Sequence, residues 1–351
     1  MIDLLVVDDS AVMRVAFRTI CARERDLEVR VASDPILAAA RIREKRPDVI
    51  LLDVEMPRMD GLTFLRMLME SDPIPVVICS ALAGNGTRTA LRALEEGAVD
   101  VVGKPKIGLR EFLDDSAELL VDAVRSAAGA KVRRRAPLAP VSPRRTADAL
   151  LPRSRSRLVE LTSRKLAAVG ASTGGTEALR VLLEALPPDA PGLVVVQHMP
   201  AGFTAGFAQR LDALCRIEVK EVVNGDRVLD GRALIAPGDR HLLVRRDGAE
   251  YRVEVREGPL VSRHRPSVDV LFRSAAQAAG PNAVGVILTG MGNDGAEGLL
   301  EMKSAGARTV AQDEATSVVF GMPKEAIARG AVDEVLPLSR IPAAILGALK
   351  G

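Results

Sequence analysis

The residues best suited to chemistry stand where short apolar runs stop. Leu4–Val7 ends in Asp8-Asp9, Val49–Leu52 in Asp53, Val76–Cys79 in Ser80, and Val99–Val102 is followed by Lys104. If these runs are parallel strands of a doubly wound sheet, their carboxyl ends open into one crevice. Three carboxylates then crowd together, and their repulsion calls for a cation. Hard oxygen ligands suit Mg2+ rather than zinc. In such a pocket Asp53 attacks a phosphoryl group and shares the metal with Asp8 and Asp9, while Ser80 and Lys104 contact the phosphoryl oxygens. Each Asp by itself is an ordinary turn residue. Only the ordered set points to a phosphoacceptor.

A second constellation lies further on. Leu166–Val169 runs into Gly170-Ala171-Ser172-Thr173-Gly174-Gly175, and a helical pattern follows from Thr176 to Leu186. A serine on a tight strand-to-helix turn is presented as a nucleophile. A glycine-rich phosphate loop and a plain helix N-cap compete with that reading. A dinucleotide site asks for an acid at the end of the next strand, and that strand, Leu193–Gln197, ends instead in His198-Met199-Pro200. His198 is therefore the candidate base for Ser172. After Val286–Thr289, the turn Gly290-Met291-Gly292-Asn293-Asp294-Gly295 offers Asp294 to orient the imidazole and N–H groups around Met291 for an oxyanion. A helix-capping role competes for Asp294. Of the other histidines, His241 precedes an amphipathic strand and reads as structural, whereas His264, beside Arg265, reads as a cleft or substrate residue.

The elements that must position these groups follow from composition. Apolar residues make up 48% of the 351 residues, Trp is absent and aromatics are 2%, so the cores are Val, Leu, Ile and Ala, an α/β composition. The length suits two domains. Residues 1–126 alternate short strands with amphipathic helices and predict a flavodoxin-like five-stranded parallel sheet. Residues 127–162 form a basic, Pro-rich linker, with nine Lys/Arg against Asp148 alone between Lys131 and Arg157. Residues 163–351 resume the alternation and predict a doubly wound, mainly parallel hydrolytic domain. Within it Ile217–Val223, Ala233–Ala236, Leu242–Arg245 and Tyr251–Val255 read as antiparallel strands, the last two joined by an Asp247-Gly248 hairpin turn.

A net charge of +2 gives no global pull toward nucleic acid. Cys21, Cys79 and Cys215 are odd in number and lack CxxC spacing, which predicts a reducing, cytoplasmic setting. No run nears the roughly 18 apolar residues of a membrane span, so no membrane insertion is expected.

Residues 1–125, with the ordered set Asp8, Asp9, Asp53, Ser80 and Lys104, resemble response-regulator receivers. Many receivers carry an aromatic residue on the fifth strand, where this chain has Val101 and Val102. Residues 163–350 resemble the catalytic domain of the chemotaxis protein-glutamate methylesterases through Gly170–Gly175, Gln197–Pro200, Ile235–Gly238, His264–Asp269 and Thr289–Gly295. The resemblance implies Ser172, His198 and Asp294 as nucleophile, base and orienting acid, Met291 in the oxyanion hole and Thr173 near the substrate. It also implies glutamyl methyl esters of chemoreceptors as substrate, a glutamine deamidase activity, a histidine kinase as phosphodonor and a receiver that covers the cleft until Asp53 is phosphorylated. The competing reading is a phosphorylation-dependent binding module without catalysis.

Overall fold

The computed structural model describes residues 1–56, 61–80, 85–104, 110–132 and 165–349. Pro57, Pro105 and residues 133–162 of the expected linker lie outside these ranges. In the N-terminal part the apolar runs form β1 (Ile2–Val7), β2 (Leu27–Ala32), β3 (Val49–Asp53), β4 (Val76–Ser80) and β5 (Asp100–Gly103). They pair in parallel in the order β2-β1-β3-β4-β5, as the flavodoxin-like reading requires. Between and after them run α1 (Ala11–Cys21), α2 (Pro35–Glu44), α3 (Gly61–Ser71), α4 (Asn85–Glu95) and α5 (Arg110–Ala128). The Ser10 hydroxyl caps α1 by accepting from the Met13 N–H, and Asp34 does the same for α2 at Leu37. Helix α1 buries Met13, Phe17, Ile20 and Cys21, a spacing that puts all four on one face.

The C-terminal part contributes β6 (Leu166–Ala171), β7 (Gly192–Gln197), β8 (Glu218–Glu221), β9 (Arg232–Ile235), β10 (His241–Asp247), β11 (Glu250–Arg256), β12 (Ala283–Ile287), β13 (Arg308–Gln312) and β14 (Glu334–Leu336). Its helices are α6 (Gly175–Glu184), α7 (Thr204–Leu214), α8 (Val268–Ala279), α9 (Ala296–Ser304), α10 (Met322–Ala328) and α11 (Ile341–Leu349). Seven strands form one parallel sheet in the order β14-β13-β12-β6-β7-β9-β8. Winding reverses between β6 and β12, and a doubly wound sheet opens its crevice at that point.

One expectation is corrected. The segments read as antiparallel strands at 217–223 and 233–236 are β8 and β9, and both run parallel to the main sheet. Apolar alternation reports burial and carries no strand direction. The intervening loop is long enough to return the chain to the starting edge, where the Gly231 N–H donates to Ala190 O and the Glu218 N–H to Gly231 O. Among the described strands only β10 and β11 pair antiparallel, across the expected Asp247-Gly248 turn with Gly248 at φ 60°.

Candidate active site and phosphoacceptor pocket

The strand ends of the first sheet bring the predicted acids together. Oxygens of Asp8, Asp9 and Asp53 lie within 4.8 Å of one another. Asp53 and Asp8 are buried, whereas Asp9 is exposed. Lys104 Nζ is 2.6 Å from Asp53 Oδ2 and 3.7 Å from Asp8 Oδ2. Asp53 Oδ1 accepts from the Glu55 N–H at 2.9 Å, and Asp8 Oδ1 from the Ser10 N–H at 2.8 Å. The other oxygen of Asp8 is buried without a hydrogen-bond partner. Burial pushes the Asp8 carboxyl above its ordinary range, although Lys104 pulls the other way. A buried carboxylate oxygen without a hydrogen-bond partner, facing two further acids, is part of a donor set that fits a hard divalent cation. Ser80, fully buried at the end of β4, holds Lys104 nearby through a bond from the Lys104 N–H to Ser80 O.

Ser172 sits one residue beyond β6, at the switch point. Its N–H donates to Thr289 O beyond β12, and its carbonyl accepts from Gln197 Nε2 at the end of β7. Two neighbouring strand ends are thus laced to the elbow, one by a backbone bond and one by the Gln197 side chain. Gly290 permits the closest approach, since a Cβ there would stand 2.7 Å from Ser172 Cβ and 2.3 Å from Met322 Sδ. Its bareness carries the loop bearing Met291 up to Ser172. Gly174, at φ 78°, turns the chain from the elbow into α6.

His198 Nε2 lies 2.8 Å from Asp294 Oδ2. An ionised carboxylate only accepts, so Nε2 carries the proton and Nδ1 holds the lone pair. Nδ1 is buried without a partner, which means the Ser172 hydroxyl has not closed onto it. Catalytic hydrogen bonds often tighten only when substrate binds. Asp294 is buried and makes three further contacts: Oδ1 accepts from Ser267 Oγ at 2.8 Å and the Asp269 N–H at 3.0 Å, and Oδ2 from the Val268 N–H at 2.7 Å. Val268 and Asp269 open α8, so the carboxylate rests on a helix N-terminus. Burial alone would raise its pKa; the bond from His198 and these N–H groups outweigh that and hold it well below the usual range. Asp294 therefore does not cap α9, whose N-cap is Gly295.

His241 is buried on β10, with Nε2 2.8 Å from Pro259 O and Nδ1 accepting from the Ser267 N–H. Its surroundings are structural. His264 stacks on His198. Thr173 is turned toward the first domain, where its hydroxyl donates to Asp100 Oδ2 at 2.9 Å, and the Gly174 N–H donates to Val99 O at 3.3 Å. Burial pushes the Asp100 carboxyl up to about 6, against the bonds it accepts from Thr173 and the Val101 N–H. Arg210 pairs with Glu95, Arg263 with Asp122 at 3.6 Å, and Val318 packs against the first domain's core. The α4–β5–α5 face of one domain thus covers the elbow of the other. Sequence reasoning passed over Asp100, Ser267 and Thr289. Asp100 and Ser267 do not end an apolar run in the way that marked the other site residues, and Thr289, which does, acts from its side chain, which donates to Thr173 O.

An acid-lined phosphoacceptor sheet and a Ser, His and Asp crevice at a second sheet's switch point define a class: response regulators with a hydrolytic output domain. The response regulator receiver domain family matches residues 4–114, and the CheB methylesterase family matches residues 167–345. The protein-glutamate methylesterase/protein-glutamine glutaminase 5 of Anaeromyxobacter dehalogenans (strain 2CP-C) is 63% identical over 98% of this chain and 95% of its own length. A second relative of that description, number 3 of Geobacter metallireducens, is 58% identical over 98% of both chains. The solved catalytic domain of Thermotoga maritima CheB methylesterase is 40% identical, with a TM-score of 0.51, over 52% of this chain and 97% of that one. The chain belongs to the CheB methylesterase family, with an N-terminal receiver of the kind that binds Mg2+ for phosphorylation. A receiver on a methylesterase implies, in general terms, a receptor substrate and a kinase phosphodonor. No described helix is long and apolar enough to cross a membrane.

Proposed function

We propose that this chain is a receiver-gated protein-glutamate methylesterase of chemotaxis receptors that also deamidates glutamine. The observation that carries the reading is the bond from His198 to a buried, helix-anchored Asp294 beside the Ser172 elbow. Ser172 Oγ attacks the γ-carbonyl of a glutamyl methyl ester while His198 Nδ1 takes its proton. N–H groups around Met291 receive the oxyanion. As the tetrahedral adduct collapses, His198 returns the proton to the departing oxygen and methanol leaves. Water, deprotonated by His198, then opens the acyl-enzyme and releases the glutamate carboxylate. A glutaminyl amide follows the same course and releases ammonia.

The proposed domains are a receiver at 1–126, a linker at 127–162 and a catalytic domain at 163–351. In the receiver, Asp8, Asp9 and Asp53 would hold Mg2+, which neutralises phosphoryl charge when bound. Asp53 accepts the phosphoryl group from a histidine kinase, and Lys104 and Ser80 contact its oxygens. Lys104 follows directly on β5, the strand that carries Asp100 onto Thr173. That continuity supports a switch in which a phosphoryl group, drawing on Lys104, shifts β5 off the elbow without a rotating aromatic. The free Cys21, Cys79 and Cys215 fit a cytoplasmic site of action.

The test follows methanol release from methylated receptor with and without a small phosphodonor. Ser172→Ala is expected to abolish release, and Asp53→Ala to keep a basal rate without stimulation. Wild-type turnover by Ser172→Ala would remove the catalytic assignment, and full stimulation of Asp53→Ala would remove the switch.

A further inference from the structure

His264 belongs to neither the triad nor the fold's core, yet its ring lies face to face with that of His198, centroids 3.7 Å apart and planes 8° from parallel. Several features hold it there. Its Nδ1 is 2.7 Å from Ser262 O. A carbonyl only accepts, so Nδ1 carries the proton. The loop beneath is a tight turn in which Val261 and His264 exchange both backbone bonds, at 3.1 and 2.9 Å. Ser262 at φ 51° and Arg263 at φ 66° both lie in the left-handed region, which L side chains rarely adopt. Ser262 Oγ donates to Asp269 Oδ2 at 3.0 Å, and the Asp269 N–H donates to Asp294 Oδ1. The carboxylate that grips the edge of the His198 ring is therefore tied, through one residue, to the turn that supports the face of that ring.

We infer that His264 is a positioning residue for the base: its neutral ring fixes the plane of His198 and lies against the imidazolium formed during turnover. The inference rests on the esterase reading above. An electron-rich face stabilises a cation lying on it, whereas a charged partner would oppose it. The charged groups around the pair are Asp294, Asp269, Arg263 and, from the first domain, Asp100, and burial together with the His198 charge pushes His264 down to about 3, which keeps it neutral.

The test uses the full chain, a glutamate γ-methyl ester peptide as substrate and nitrogen NMR of the His198 ring as a readout independent of turnover. His264→Phe keeps an aromatic face and is expected to retain kcat within about threefold, with the proton of His198 still on Nε2. His264→Ala is expected to lower kcat roughly 3- to 10-fold with little change in KM, and to let the His198 tautomers exchange. His264→Lys, which sets a cation on the face, is expected to move the acid limb of the kcat/KM profile to lower pH. Wild-type kcat and ring signals in His264→Ala would overturn the inference. So would a His264→Phe enzyme as slow as His264→Ala, since the loss would then belong to a polar contact with substrate. If wild type fails to hydrolyse the peptide, the esterase reading falls, and the NMR comparison still decides the positioning role.

Discussion

Replacing Asp294 by Asn keeps the side chain's shape and removes its charge, and the geometry dictates which way the amide will face. Oδ2 receives the His198 ring and the Val268 N–H, whereas Oδ1 receives the Ser267 hydroxyl and the Asp269 N–H. A hydroxyl can turn to accept; a ring already presenting its proton and a backbone N–H cannot. The NH2 group should therefore take the Oδ1 place, where it opposes one donor, the Asp269 N–H. One buried unsatisfied donor costs about 1–3 kcal/mol of stability. The remaining amide oxygen keeps the His198 proton on Nε2, so the base stays in the working tautomer. What disappears is the attraction between carboxylate and imidazolium, roughly 4 kcal/mol for unit charges near 4 Å apart in a partly screened site. At about 1.4 kcal/mol per decade, kcat should fall about 10²- to 10³-fold. An inverted tautomer would instead cost on the order of 10⁴. Methanol release gives kcat, urea unfolding gives the stability change, and nitrogen NMR gives the tautomer. A kcat within tenfold of wild type, or a His198 proton on Nδ1, would refute this account.

Other expectations are independent of that one. Asp100→Ala should raise turnover without phosphodonor severalfold, read as the ratio of stimulated to basal rate, because the elbow loses the bond that turns Thr173 toward the receiver. The same ratio should fall with rising pH: burial lifts Asp100 from 3.8 to about 6, so docking takes up a proton, is strongest below about pH 4 and weakens until about pH 6. Enzyme phosphorylated at Asp53, which the proposed switch would undock, supplies the control for titration of the proposed triad itself. Asp294 has the opposite sign, since its carboxyl is depressed on folding; its stabilising effect is complete above about pH 4 and is lost as pH falls toward the folded value of about 2, a loss that Asp294→Asn should erase from acid-unfolding curves. Gly290→Ala forces a methyl within 2.7 Å of Ser172 Cβ; a cost of about 1–3 kcal/mol and a kcat loss beyond any change in melting temperature are expected. Chelation of divalent ions should abolish stimulation by phosphodonor and leave basal methanol release intact.

Much of this was legible in the sequence because parallel strands buried on both faces read as unbroken apolar runs, and their ends are where a doubly wound sheet exposes polar groups. Asp8, Asp53, Ser80, Lys104, Ser172 and His198 all follow such runs, and the structure gathers them into the two crevices that rule describes. Strand direction was not legible, because alternation records which face is buried and nothing about which end comes first; β8 and β9 were misread for that reason. Nor was the support of Asp294 legible. It comes from the first turn of α8, some 25 residues earlier, and only the packing of α8 against the β12 loop brings those N–H groups to the carboxylate. The cover over the elbow lies further still from sequence logic. Asp100 begins a strand instead of ending one, and a carboxylate there has no chemistry until a second domain sets Thr173 against it. The chain's local pattern thus determined two sheets and the groups at their rims. Tertiary contact decided which nitrogen of His198 holds the proton, which ring lies on its face and which surface covers Ser172, because each depends on residues that no sequence period connects.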